Sequence, residues 1–143
     1  MKLVIASDHG GLRLKTELVE MLRKVGHTVE DIGTTSDASC DYPDFAHAVA
    51  KNILEKKSER GILVCGTGVG MSIAANRHAG IRAVVCSDTY TAKLSRDHND
   101  ANILCIGERV VGSGLAWEIV SAWVAAPAST EARHSKRRDK IEL

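Results

Sequence analysis

Aromatic side chains are scarce in this chain: Trp, Tyr and Phe together make up 3% of its 143 residues. A platform that stacks the bases of single-stranded nucleic acid needs such rings, so their scarcity argues against that function. The core must instead be built from Val, Ile, Leu and Ala. Charge of one sign is also lacking. A formal net charge of +1 gives no global attraction to nucleic acid or to a membrane surface. Long apolar runs are absent. Leu3–Ala6 is too short for a signal-peptide core, and nothing approaches the ~18 residues of a membrane span, so a cytoplasmic protein is expected. The four cysteines (Cys40, Cys65, Cys86 and Cys105) show neither CxxC spacing nor the density of a disulfide scaffold, so free thiols are expected. No His, Cys, Asp or Glu grouping has metal-ligand spacing, and the expected chemistry uses no metal and no cofactor.

What remains is a regular alternation of short apolar runs and amphipathic stretches, with no linker, repeat or low-complexity tract, over a length suited to one domain, 1–143. Leu3–Ala6, Thr28–Ile32, Gly61–Cys65, Ile81–Cys86 and Asn102–Ile106 read as strands. Leu14, Leu18, Met21, Leu22 and Val25 recur at helical spacing, and Gly26 is placed to end that helix. Thr34–Asp44, with Pro43, reads as a loop, followed by a helix marked by Phe45, Val49 and Ile53. A short helix is expected from Met71 to Arg77, another after a cap at Asp88, and another through Leu115, Ile119, Val120, Trp123 and Val124. The charged tail 129–143 reads as helical. Cys86 and Cys105 sit inside apolar runs and read as small core residues. Five strands separated by helices predict an α/β fold: a three-layer Rossmann-like sandwich with a five-stranded parallel sheet flanked by helices.

Ligands of such sheets bind beyond the carboxyl ends of the strands. Three clusters fall there: Ser7–Gly11, Cys65–Gly70 and Gly107–Arg109. In the second, glycines between a strand and a helix let backbone amides face an anion, with the helix terminus adding partial positive charge. The loop lacks the Gly-Lys-Ser/Thr ending of a nucleotide P-loop and the full dinucleotide fingerprint. It is either a plain tight turn or an anion pocket, and the cysteine at its mouth favours chemistry. Cys65 itself is either an inert thiol or a base or nucleophile. Asp8 and His9 could contact hydroxyls or phosphate, or open a sugar ring. His98 could move protons near neutral pH or simply end a solvated helix. Arg133 and Arg137, four apart, would share a helical face; with Arg109 they could clamp a phosphate dianion, unless the tail is only a solvated basic segment.

Six motifs in order then identify a family resemblance over nearly the whole length. They are Ser7–Gly11, Asp41–Asp44, Cys65–Asn76, Gly80–Ala83, Ser95–Asn102 and Gly107–Gly112. Together they resemble the type B ribose-5-phosphate isomerases, whose wider family includes galactose-6-phosphate isomerase subunits. The resemblance implies a reversible aldose–ketose isomerisation through a cis-enediolate, most simply of D-ribose 5-phosphate to D-ribulose 5-phosphate. Other sugars open to the same chemistry are allose, galactose or tetrulose phosphates, and a binding module without turnover is the contrasting reading. By resemblance, Cys65 is the base and His98 opens the ring with help from Thr67. The amides of Gly66, Gly68, Val69 and Gly70 hold the enediolate oxygen, and Asp8 and Asn99 contact sugar hydroxyls. His9, Arg109, Arg133 and Arg137 hold the phosphate. A homodimer or homotetramer with sites shared between subunits is implied. One branch of the family lacks this cysteine and uses a glutamate elsewhere; Cys65 places the chain in the cysteine branch.

Overall fold

A computed structural model describes residues 1–142; Leu143, the end of the tail, lies outside the described residues. Five strands form the sheet: β1 Lys2–Ser7, β2 Thr28–Asp31, β3 Arg60–Cys65, β4 Ala83–Val85 and β5 Ile103–Gly107. Their order is β2-β1-β3-β5-β4, every pairing parallel. The helices are α1 Leu12–Lys24, α2 Tyr42–Leu54, α3 Val69–Ala75, α4 Thr89–Asp97, α5 Ser113–Ala125 and α6 Ala132–Asp139, with a 3₁₀ turn at His9–Gly11.

Side chains along the strands alternate between two apolar layers, as strand pleating requires. Leu3, Ile5, Ile62, Val64, Leu104 and Ile106 face α1 and α5, where Leu14, Leu18, Leu22, Ile119 and Trp123 pack against them. Val4, Ala6, Leu63, Cys65, Ile103 and Cys105 face the other way, toward Ala46, Val49 and Ala50 of α2 and Met71, Ala74 and Ala75 of α3. Both faces are therefore covered, which explains why the strands read as continuous apolar runs rather than alternating ones. Cys86 and Cys105 are buried core residues, and burial pushes both thiols above their usual pKa. Arg60 donates to the carbonyls of Trp123 and Val124 at 2.9 and 2.8 Å, closing the end of α5. Burial first, then the charge of Arg96, pushes its guanidinium down to about 10.

Local chemistry explains the boundaries. Gly26 takes φ +95°, and the amides of Gly26 and His27 donate to the carbonyls of Arg23 and Leu22, the paired bonds of a Schellman ending. Asp88 accepts from the Thr91 amide at 2.7 Å and caps α4 as expected. Three expectations shift. Helix α2 begins at Tyr42 rather than after Pro43, because proline fits the first helical turn, where no amide is needed. Helix α3 starts at Val69 and stops at Ala75, so Val69 and Gly70 belong to the helix rather than the loop. Strand β4 shortens to Ala83–Val85, because Asn102 and Asn76 side chains take the amides of Arg82 and Ala83.

Candidate active site

Helix α1, following β1, and α5, following β5, lie on one face; α3, following β3, lies on the other. On both sides of the carboxyl end of β3 the chain thus leaves neighbouring strands in opposite directions, the place where open α/β sheets hold their ligands. Cys65 is the residue at that end, paired in register with Gly107.

Gly68 turns the loop after Cys65 with φ +79°, a conformation that L side chains rarely adopt. That turn swings its amide back onto the Cys65 thiol, with N to Sγ at 3.1 Å. The thiol is nearly buried, on the side of the sheet that α3 covers. Thr67 is exposed, and its hydroxyl accepts from the Val69 amide at 3.3 Å. Two of the four loop amides expected to face an anion, those of Gly68 and Val69, are therefore committed to Sγ and to Thr67 in this structure.

The neighbouring clusters close around this loop. Gly10 shows how tightly: a methyl group there would stand 3.3 Å from an Asp8 carboxylate oxygen, 3.4 Å from the Gly66 nitrogen and 3.6 Å from an Arg109 terminal nitrogen. Buried Asp8 accepts from the Gly10 amide at 2.9 Å, which holds the turn. The Glu108 and Arg109 amides donate to the carbonyls of Cys65 and Gly66 at 2.9 and 3.0 Å. Arg109 extends along Gly66, and among the described residues its guanidinium has no carboxylate partner. The ring of His9 accepts from the Cys40 amide at 3.2 Å through Nδ1, which leaves Nε2 to carry the proton. Cys65, Thr67, Asp8, His9 and Arg109 thus form one constellation at the carboxyl edge.

Sequence reasoning missed Tyr42 as a lining residue. A methyl group on Gly70 would fall 2.6 Å from its ring, so only glycine there admits the tyrosine against the start of α3. Asp41–Asp44 is one of the six motifs of the resemblance, but a loop reading of that stretch assigns Tyr42 no place in the site.

The other expected residues lie elsewhere. A helix that follows a parallel strand runs back toward the sheet's amino edge, so the C-terminus of α4 places His98 and Asn99 there. The His98 ring stacks on buried His134 of α6, centroids 4.3 Å apart. Arg138 donates to the Ser129 carbonyl at 3.1 Å and reaches the His98 carbonyl at 3.5 Å, and Arg82 donates to the Asn99 carbonyl at 3.1 Å. Burial, and then the charges of His98 and Arg133, push the His134 imidazole below its usual pKa. Arg133 pairs with Glu131 at 2.6 Å, while Arg137 is exposed. A cavity of about 570 Å³ opens beside this cluster, lined in part by His78, Arg82, Asn99 and Glu142. From Gly61, whose amide bonds the Asn102 carbonyl, to Cys65 the strand spans about 13 Å at ~3.3 Å per residue. Within one chain, then, His98, Asn99, Arg133 and Arg137 do not meet Cys65, and they form no clamp with Arg109.

No three His, Cys, Asp or Glu side chains among the described residues gather as metal ligands would, and no helix among them is long and apolar enough to cross a membrane.

A family model described as Ribose/Galactose Isomerase matches residues 3–141. The chain belongs to the ribose/galactose isomerase family. It is 50% identical over 140 residues to the Ribose-5-phosphate isomerase B of Escherichia coli, a match covering 98% of this chain and 93% of that protein. It is 41% identical over 127 residues to the D-erythrulose-4-phosphate isomerase of Pectobacterium atrosepticum, covering 88% of this chain and 84% of that one. The solved structure of Clostridium thermocellum Ribose-5-Phosphate Isomerase B superposes with a TM-score of 0.96 at 52% identity, covering 99% of this chain and 95% of that one. Likeness of this extent makes the chain an aldose–ketose isomerase of the type B kind.

Proposed function

We propose that the chain interconverts D-ribose 5-phosphate and D-ribulose 5-phosphate, with Cys65 as the base. The observation that supports this most is the Cys65 thiol, seated at the carboxyl end of β3, touched by the Gly68 amide and bordered by Arg109 without a carboxylate partner. In the open-chain aldose, the Cys65 thiolate takes the proton from C2. The electron pair moves into a C1–C2 double bond, and the C1 oxygen becomes an enediolate oxyanion. Returning the proton to C1, with the hydroxyl proton passing from O2 to O1, gives the ketose. Gly66 and Gly70 amides, joined by Gly68 and Val69 if these shift partner, receive the oxyanion. Removing one such donor in comparable sites costs about 2.7–4 kcal/mol. Asp8 orients hydroxyls, and His9 and Arg109 hold the phosphate, so that remote binding energy keeps C2 against the thiol.

The remaining roles require a second copy of the chain. His98 for ring opening, Asn99 for a hydroxyl and Arg133 and Arg137 for the phosphate come from the amino edge of the partner, with Thr67 beside Cys65 assisting the ring opening, in a homodimer or homotetramer working in the cytoplasm without metal or cofactor. The separation of these residues from Cys65 within one chain supports this arrangement.

A second reading keeps the mechanism and changes the sugar. The resemblance to an isomerase named for D-erythrulose 4-phosphate favours considering shorter substrates. A panel of four-, five- and six-carbon aldose and ketose phosphates, compared by kcat/KM, decides between them: a ribose 5-phosphate maximum is expected, and a four- or six-carbon maximum reverses the choice. Cys65→Ala should abolish turnover while leaving sugar-phosphate binding measurable by calorimetry. Full activity in that variant would remove Cys65 from the mechanism.

A further inference from the structure

The motif Gly107-Glu108-Arg109 contains a carboxylate to which the isomerisation gives no task. The Glu108 side chain is 18% exposed and reaches the start of α1. Its Oε2 accepts from the amide of Leu14 at 2.9 Å, across 94 positions of sequence, and its Oε1 faces Arg13 Nε at 3.3 Å. Leu14 is the third residue of α1, one of the amides that a helix start leaves without an internal acceptor. Gly11, the residue before the helix, has no side chain to supply one. Glu108 therefore does the work of an N-cap from a distant loop, and a negative charge there also complements the positive end of the helix.

The consequence reaches both phosphate-side residues. The 3₁₀ turn that carries His9 runs directly into α1, so anchoring Leu14 anchors that turn. On the other side, the backbone of Glu108 and Arg109 is fixed to the carbonyls of Cys65 and Gly66. One side chain thus joins the start of α1 to the loop bearing Arg109, with Gly10 and Gly66 between them. We propose that Glu108 is a positioning residue that sets the spacing between His9 and Arg109 and so tunes recognition of the substrate's phosphate. Both oxygens are occupied by α1, so Glu108 is not a second base. The proposal rests on the reading that Arg109 and His9 hold the phosphate.

The test is a kinetic cycle on D-ribose 5-phosphate, with inorganic phosphate as competitive probe, for the wild type, Glu108→Ala, Arg109→Ala and the double variant. Glu108→Ala should raise KM and the phosphate inhibition constant about tenfold, the loss of one charge-assisted hydrogen bond, with little change in kcat. The double variant should lose less than the two single losses combined, because without Arg109 only His9 is left for Glu108 to position. Glu108→Gln, which keeps an oxygen for the Leu14 amide, should restore KM. Additive effects in the cycle, or a fall in kcat at constant KM, would overturn the proposal while leaving the phosphate reading intact. An Arg109→Ala enzyme with unchanged KM would overturn both. If Glu108→Ala does not fold, Glu108→Asp, too short to reach Leu14, replaces it in the cycle with the same expected outcomes.

Discussion

The proposal that active sites are shared between two copies predicts an unusual result: two inactive variants should repair one another. Cys65→Ala removes the proposed base at the carboxyl edge, and His98→Asn removes the proposed ring-opening imidazole at the amino edge. Each is expected to be inactive alone. The strand from Gly61 to Cys65 holds these edges about 13 Å apart, far beyond the ~3 Å that proton transfer requires. If both groups serve one reaction, as proposed, each site draws its thiol from one chain and its imidazole from another. In a mixed dimer one site holds both substitutions, and the other holds neither. Random reassembly of equal amounts makes about half the dimers mixed, each with one intact site, so about one quarter of wild-type activity should return. A mixed dimer isolated through two different affinity tags should show about one half. The assay is the initial rate of ribulose 5-phosphate formation after co-refolding, with each variant refolded alone as control. Isolated mixed dimers with no more activity than the separate variants would refute the shared site. The outcome is the same for a tetramer built from such dimers.

Other perturbations follow from the same geometry. Gly68→Ala forces a side chain into φ +79° and sets a methyl 3.1 Å from the Ile106 backbone; a loss of about 1–3 kcal/mol in urea unfolding is expected, with a drop in kcat as the amide leaves the Cys65 sulfur. The depressed pKa of His134 makes stability depend on pH. Above the ordinary value of 6.5 the imidazole is neutral folded and unfolded, and the docking of α6 is at full strength. As pH falls through 6.5 toward the lower folded value, the unfolded chain takes the proton first and stability is lost. Unfolding midpoints from pH 7.5 down to about 5 should show this, and His134→Gln should flatten the curve. Thiol alkylation should label half-buried Cys40 first, while full inactivation tracks Cys65 and is slowed by substrate. Cys86 and Cys105, buried and with raised pKa values, should stay unlabelled in mass spectra of the folded protein.

The sheet and its two covered faces were legible because apolar runs, glycine stops and the Asp88 cap act within a few residues of one another. What escaped the sequence acts at long range. Nothing local tells that Asn102 and Asn76 shorten β4, that the Cys40 amide sets the His9 ring, or that Glu108 caps a helix 94 residues away. Pro43 is ambiguous for the opposite reason: in a polar stretch a proline suits a loop, yet it is as much at home in a first helical turn, where the structure has it.

The site shows the same division more sharply. Each candidate residue stands out by type, yet type does not say which edge of the sheet it occupies. Connectivity does. Asp8, Cys65 and Arg109 follow strands directly and so lie at the carboxyl edge; His98 and Asn99 follow a returning helix and so lie at the amino edge. Arg133 and Arg137 belong there too, because α6 is tied to the end of α4 by the Ser129 amide, which donates to the Asp97 carbonyl at 2.8 Å, and by the His98–His134 stack. A parallel sheet cannot fold its own two edges together. If both halves of the motif list serve one reaction, as proposed, the second half must arrive on another copy of the chain.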